Sequence, residues 1–138
     1  MTPEPYLIDI GNNVTIAGNV TFVTHDNSSI EVNSQKPNLF GYIHIGNNSF
    51  IGQGAILMYG VSLPNDCIVA SGSVVVNSFT KERIIVGGNP ARIIGSWDDF
   101  SIRVYKCGMG QNEARNNALE NNKTKFIVRK CRDEHTIG

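Results

Sequence analysis

The residue best suited to proton transfer in this chain of 138 residues is His25, which lies in a polar stretch at residues 24–29. A neutral imidazole accepts a proton near physiological pH, so a histidine at the start of a loop can act as a general base. Asp26 and Asn27 follow it directly. They can orient the imidazole, contact a polyhydroxylated ligand or simply form a turn. A solvated loop histidine explains the same residues.

The remaining histidines and the cysteines give no second site. His44 stands between two isoleucines that we place inward, so we expect it on the surface or at a subunit interface. His135 lies in the tail and belongs to no motif. The odd number of cysteines and the absence of metal-type spacing predict no metal site and favour a reduced, cytoplasmic setting. The cysteines are Cys67, Cys107 and Cys131.

Composition excludes several classes of function. Lys plus Arg number 12 and Asp plus Glu number 12, so there is no overall positive charge to hold nucleic acid. The apolar runs are too short to span a membrane. The first residues include Glu4 and no basic residue, so we do not expect a signal peptide.

A six-residue repeat organises most of the chain. Large apolar residues recur at every sixth position of two stretches: Ile10, Ile16 and Phe22, then Ile45, Ile51, Leu57, Leu63, Val69 and Val75. Small or β-branched residues follow most of them by four positions: Val14, Val20, Ser49, Ala55, Val61, Cys67 and Ser73. An α-helix of about 3.6 residues per turn cannot keep such a period on one face. Short strands separated by Asn- and Gly-rich turns can, with three units closing one triangular coil.

The fold predicted from this pattern is an all-β solenoid, a parallel β-helix of about three to four coils over residues 1–95. Residues 24–42 interrupt the repeat with a long polar stretch and are expected to project as a loop. Long loops of this kind are often functional. Residues 96–138 differ in composition, and we expect a small, partly helical C-terminal extension.

Three strings in order carry a family resemblance. They are Thr24-His25 at the start of the loop, Ile45-Gly46-Asn47-Asn48-Ser49-Phe50-Ile51-Gly52, and Val86-Gly87-Gly88-Asn89-Pro90-Ala91-Arg92-Ile93-Ile94. Over about residues 8–94 the sequence resembles the hexapeptide-repeat acyltransferases, in their sugar O-acetyltransferase branch. Relatives usually have Trp where Phe50 stands, and many carry an N-terminal helical segment that helps to form the acceptor pocket.

The resemblance implies a left-handed β-helix, a homotrimer and acetyl-CoA as the acyl donor. It also implies transfer to a sugar hydroxyl with His25 as base, in surface polysaccharide biosynthesis, and Asp26 and Asn27 are candidates to contact the sugar. Small turn residues would allow the coenzyme to approach: Gly52, Gly54, Ala70 and Gly72. Basic residues near the end of the repeat would hold its phosphates: Lys81, Arg83 and Arg92.

Other functions fit the same pattern. The acceptor could be an amino sugar, a serine or an antibiotic, or the chain could be a non-catalytic trimeric β-helix module. A zinc enzyme on this fold needs three histidines that meet at an interface, and the placement of the three histidines here disfavours it. His25 together with the closing string Gly88-Asn89-Pro90-Ala91-Arg92 favours the enzyme.

Overall fold

A computed structural model describes residues 3–129 of the chain. The strands in this part are β1 (Ile8–Ile10), β2 (Thr15–Ile16), β3 (Thr21–Val23), β4 (His25–Asp26), β5 (Leu39–Phe40), β6 (Ile43–Ile45), β7 (Phe50–Ile51), β8 (Ile56–Met58), β9 (Ser62–Leu63), β10 (Cys67–Val69), β11 (Val74–Val75), β12 (Ile84–Gly88) and β13 (Ala91–Ser96). The α-helices are α1 (Trp97–Cys107) and α2 (Gln111–Leu119), and the short 3₁₀ helices are Pro5–Leu7, Asn27–Glu31 and Lys123–Lys125.

The strands of the repeat form three sheets that the chain visits in turn. Sheet 1 has the order β1-β6-β9, sheet 2 the order β13-β12-β10-β7-β2, and sheet 3 the order β11-β8-β3. Neighbouring strands of successive coils pair in parallel. Coil 1 (β1–β3), coil 2 (β6–β8) and coil 3 (β9–β11) therefore stack as the predicted parallel β-helix.

The six-residue repeat places one large apolar column inside each sheet. Strand pairing sets Ile16 beside Ile51 and Phe22 beside Leu57, so each coil contributes to the same columns. Ile51 and Leu57 are completely buried. The buried core consists mainly of residues from coils 2 and 3. Coil 2 lies between coils 1 and 3 in all three sheets, and coil 3 is followed by β12 in sheet 2.

Asparagines fix the turns between sheets 1 and 2. The side-chain oxygen of Asn47 accepts from the backbone N–H of Asn12 at 2.8 Å, and that of Asn65 accepts from the N–H of Asn47 at 2.7 Å. Each turn also contains a residue with positive φ, a conformation that Asn and Asp tolerate. These residues are Asn13, Asn48 and Asp66. The Asn-rich turns thus join the coils through side chains as well as through the sheets.

The predicted projecting loop, residues 24–42, has secondary structure of its own. Its two ends pair as antiparallel strands β4 and β5, with His25 opposite Phe40. The 3₁₀ helix Asn27–Glu31 begins after Asp26, whose side chain caps it. The loop therefore leaves the β-helix between coils 1 and 2 with its two ends held together by strand pairing.

The repeat ends at β12, which pairs in parallel with β10 and antiparallel with β13. The chain divides after Asp98 into two compact units. The second unit contains most of α1 and all of α2. In the part that the structure describes, no helix is both long and apolar enough to cross a membrane.

Candidate functional site

His25 lies where the chain leaves sheet 3 at the end of coil 1, and two neighbours fix its side chain. Its Nδ1 is 2.9 Å from the carboxylate oxygen Oε2 of Glu4. Thr24, which is buried, donates its hydroxyl to the same oxygen at 2.6 Å. Glu4 directly precedes the 3₁₀ helix Pro5–Leu7, so a residue ahead of the first strand of the repeat supplies this carboxylate.

This arrangement selects the atom of His25 that is available for chemistry. An ionised carboxylate can only accept a hydrogen bond, so the neutral tautomer that fits this contact has its proton on Nδ1 and its lone pair on Nε2. The side chain of Glu4 is 13% exposed and that of His25 is 33% exposed. A largely buried carboxylate beside a partly open imidazole can orient the ring and stabilise its protonated form.

A pocket of about 310 Å³ adjoins His25 at the open end of coil 1. Its lining is Pro3, Val20, Thr21, Phe22, Val23, Thr24 and His25. Within residues 3–129, strand β3 is the last strand of sheet 3, so one of its edges has no neighbouring strand there. Because Thr21 donates its N–H towards coil 2, the backbone groups of Phe22 point to the free edge. The pocket thus combines apolar side chains with strand-edge donors and acceptors.

Sequence reasoning did not identify Glu4. It lies 21 residues before His25, outside the repeat, and the residues between them give no spacing signal. The cue in the sequence was an acidic residue followed by proline at the first helical position, which is typical of a helix start. That cue predicts a turn and gives no indication of a partner for His25.

The two candidates for acceptor contact have partners within the chain. Asp26 accepts from the N–H of Ser28 at 2.8 Å and from the hydroxyl of Tyr59 at 3.2 Å. These bonds lower the pKa of Asp26, with Ser28 contributing most, and the bond to Asp26 raises the pKa of Tyr59. Asn27 donates its amide to the carbonyl of Pro37 at 2.8 Å and to the side chain of Asn38 at 3.1 Å.

The four small residues expected near the coenzyme lie together in the turns from sheet 2 to sheet 3. Gly54 and Gly72 have φ values of +72° and +71°, a conformation that glycine adopts without strain. A Cβ on Gly52 would lie 2.6 Å from the backbone of coil 3, so the stacking of coils also requires glycine at this position. Ala70 lies in the equivalent turn of coil 3.

The three basic residues differ in how they are held. Arg83 lies 2.7 Å from the carboxylate of Asp98 and 5.6 Å from the centre of the Trp97 ring, and the bond to Asp98 raises the pKa of Arg83. Lys81 and Arg92 are exposed, and neither forms an ion pair with any residue of the described range. They are the better placed cations for an anionic ligand.

Within one chain, the proposed base and the four small residues are apart. His25 lies at the connection from sheet 3 to sheet 1, whereas Gly52, Gly54, Ala70 and Gly72 lie at the connection from sheet 2 to sheet 3. The structure therefore brings His25, Asp26 and Asn27 together and separates them from the candidate coenzyme residues.

The other titratable candidates have structural roles. His44 points outward, as predicted, and its Nδ1 lies 2.8 Å from Asp9 on the neighbouring strand. Cys67 is buried, and burial raises the pKa of its thiol to about 12, so it does not act as a nucleophile. Residues 3–129 contain no group of three side chains that could hold a metal ion. His135 and Cys131 lie outside the described residues.

Comparisons with known proteins agree with this architecture. A family model described as the hexapeptide repeat of succinyl-transferase matches residues 42–77. Protein CapG of Staphylococcus aureus is 38% identical over 105 residues, which are 75% of this chain and 60% of CapG. The chain thus spans less than two thirds of this relative's length.

Two solved structures are similar to the chain. A maltose O-acetyltransferase from Clostridium difficile 630 has a TM-score of 0.59 and 29% identity, covering 64% of this chain and 48% of that one. A galactoside acetyltransferase in complex with coenzyme A has a TM-score of 0.61 and 27% identity, covering 68% and 47%. This similarity also implies the left hand predicted for the β-helix. The stacked six-residue coils agree with the match to the hexapeptide-repeat family model over residues 42–77, and the chain is similar to the sugar O-acetyltransferases that carry this repeat.

Proposed function

We propose that the protein transfers an acetyl group from acetyl-CoA to a hydroxyl of a sugar, with His25 as general base. The observation that carries this proposal is the Glu4–His25 pair, with 2.9 Å between the two side chains, beside a pocket of about 310 Å³. The similarity to sugar O-acetyltransferases supports the reaction class. Surface polysaccharide precursors are the acceptors that we propose first.

The proposed reaction is a direct attack of the acceptor on the thioester. Nε2 of His25 takes the proton of the sugar hydroxyl while the hydroxyl oxygen bonds to the thioester carbonyl carbon. The tetrahedral intermediate then expels the coenzyme A thiolate, which recovers the proton from the imidazolium. Glu4 stabilises the imidazolium between these steps, because its carboxylate already contacts Nδ1. A base of this kind contributes about 10²–10⁴-fold to the rate.

The pocket at the free edge of β3 suits a sugar ring. Its apolar side chains, among them Phe22 and Val20, can cover a face of the ring. The backbone N–H and C=O of Phe22 can bond ring hydroxyls, which need both donors and acceptors. We propose that the loop at residues 24–42 forms the other wall and governs the choice of acceptor. In this proposal Asp26 and Asn27 act on the acceptor mainly by holding the loop in shape.

Acetyl-CoA would lie along the turns from sheet 2 to sheet 3. The positive-φ glycines Gly54 and Gly72 leave the backbone there uncovered by side chains, so the pantetheine arm can reach its amide groups. Lys81 and Arg92 are exposed cations for the phosphates. Arg83 already has Asp98 as a partner, so we expect it to contribute less.

We propose a homotrimer, because the donor and acceptor halves of the site lie on different edges of one β-helix. A neighbouring copy would bring its sheet 2 to sheet 3 turns beside His25. The outward face of sheet 2 supports this, since in-register apolar residues form a stripe there. They are Phe50, Ile68 and Ile85. The outward face of sheet 1 has Asp9, His44 and Ser62 instead.

We also propose a cytoplasmic location. The two cysteines in the part that the structure describes, Cys67 and Cys107, are both free. Free thiols fit a reducing compartment.

The direct test is an acceptor screen with the purified protein. Acetyl-CoA is mixed with sugars, nucleotide sugars, amino sugars, serine and a hydroxylated antibiotic, and free thiol release is followed together with the mass of the product. The proposal would be supported if the wild-type protein O-acetylates a sugar and the His25→Ala variant does not. Transfer only to an amino group would reassign the acceptor class, and no transfer to any acceptor would favour a non-catalytic module. A variant with residues 33–38 replaced by a Gly-Ser linker should change the ranking of acceptors but not coenzyme affinity.

A further inference from the structure

The side chain of Asp26 joins the segment that presents His25 to the next coil. One carboxylate oxygen accepts from the N–H of Ser28, within the loop, at 2.8 Å. The other accepts from the hydroxyl of Tyr59 at 3.2 Å. Tyr59 follows β8 directly and therefore belongs to the corner of coil 2 that stacks on the corner of coil 1. The bond thus connects two coils at the corner that bears the proposed base.

The backbone around Tyr59 also contacts the returning end of the loop. Gly60 donates its N–H to the carbonyl of Tyr42 at 3.0 Å, and Gly41 donates to the carbonyl of Thr24 at 3.2 Å. A Cβ on Gly41 would lie 2.5 Å from the nitrogen of Gly60, so the two backbones are in direct contact. The Tyr59–Gly60 corner therefore contacts the return end through its backbone and the outgoing end through the Tyr59 hydroxyl.

The hydroxyl of Tyr59 gives the outgoing end of the loop, strand β4, a side-chain bond to coil 2. Strand β4 is only two residues long and pairs with β5, which belongs to the same loop. Glu4 fixes the imidazole ring of His25 and leaves the position of the strand beyond it to other contacts. A displacement of about 1 Å at a reacting group can lower a rate by roughly a hundredfold. A single bond from coil 2 to Asp26 is therefore well placed to affect catalysis.

We propose that Tyr59 is a positioning residue: its bond to Asp26 sets the place of His25 relative to the acceptor. Tyr59 acts through Asp26, and this role depends on the proposed acyl transfer. It differs from the role of Glu4, which acts on the protonation and orientation of the ring. Because Asp26 lies on the acceptor side of the proposed site, we expect the loss of this bond to leave coenzyme binding unchanged.

Tyr59→Phe tests the proposal, because it removes only the hydroxyl. We expect kcat for acetyl transfer to fall about threefold to tenfold, the range for loss of one hydrogen bond. The dissociation constant of acetyl-CoA should stay the same. Backbone amides of residues 27–38 should exchange faster with solvent, because the loop has lost its bond to coil 2. Tyr105→Phe is the matched control, since Tyr105 lies in α1 and is 92% exposed.

A double-mutant cycle with Asp26→Ala separates positioning from a general effect on the fold. If the two residues act through one bond, Tyr59→Phe adds no further loss of kcat in the Asp26→Ala background. Multiplied losses, an unchanged kcat in Tyr59→Phe, or an equal loss of coenzyme affinity would each overturn the inference. Loss of activity in His25→Ala together with wild-type kcat in Tyr59→Phe would refute this inference alone. Full activity in His25→Ala would refute the proposed function.

Discussion

Coil 1 and coil 2 are built from the same repeat but differ in what surrounds them. Ile10 and Ile16 of coil 1 are 42% and 38% exposed, whereas their partners Ile45 and Ile51 in coil 2 are completely buried. The residue types are the same, and the difference comes from position, because coil 1 has a neighbour on one side only. The inner coils therefore provide the packed core, and the end coil provides free strand edges and the Glu4–His25 pair. Stability and chemistry are divided between the two regions.

The largest effect that we predict comes from the end coil. His25→Ala should lower kcat at least roughly a hundredfold, because the base acts only on the acceptor proton in the transition state. The dissociation constant of acetyl-CoA should hardly change.

Glu4→Gln should lower kcat by about tenfold, because the neutral amide stabilises the imidazolium less well. Steady-state kinetics and equilibrium coenzyme binding measure both effects.

His44→Ala is the control for the histidine substitution, because His44 lies on the outward face of sheet 1 and pairs only with exposed Asp9 among the described residues. It should keep wild-type kcat. Equal losses in the two histidine variants would mean that the chemistry does not depend on the end coil, and the division drawn above would fail.

A matched pair of core substitutions tests the other side of the comparison. Ile51→Ala should lower the free energy of unfolding by about 2–5 kcal/mol, because it leaves a cavity between coils. Ile16→Ala, at the paired position of the end coil, should cost less than about 1.5 kcal/mol, because its side chain is already partly in water. Urea unfolding at one protein concentration measures both values. Equal costs would show that coil 1 is covered in solution.

The smallest effect concerns the donor half of the site. Arg92→Ala should raise the dissociation constant of acetyl-CoA about threefold to tenfold and change kcat less, because an exposed cation adds a modest, screened attraction to phosphate. The difference from wild type should shrink as salt is added. Arg115→Ala in α2 is the control and should bind normally. A loss of kcat with unchanged binding would place Arg92 on the acceptor side instead.

The sequence predicted the fold better than the site, and the reason is physical. A six-residue repeat indicates which side chains of each strand point inward and which point outward. The register of Ile16 with Ile51 therefore follows from the pattern. The exposure of coil 1 does not follow from it, because burial depends on the number of neighbouring coils. The turns could also be predicted from their asparagines, since few residues other than Gly, Asn and Asp adopt positive φ.

The partners of His25 and Asp26 were not predictable in the same way. The contacts of Glu4 with His25 and of Tyr59 with Asp26 span 21 and 33 residues and fall at the margins of the repeat. Such contacts depend on how a loop and a terminal segment fold back, which no period records. The same applies to the bond between Arg83 and Asp98. In the sequence, Arg83 could not be distinguished from an exposed, unpaired cation.

The loop between coils 1 and 2 has a consequence for how the molecule opens. Equivalent positions in coils 2 and 3 are 18 residues apart, as Ser49 and Cys67 are, but those in coils 1 and 2 are 35 apart, as Asn12 and Asn47 are. Closing a chain segment of about twice the length costs roughly 0.6 kcal/mol more entropy. Coil 1 also has less buried surface to offset that cost. It is therefore expected to form last during folding and to detach first, so a transient local unfolding event can remove the proposed base while the rest of the solenoid stays intact.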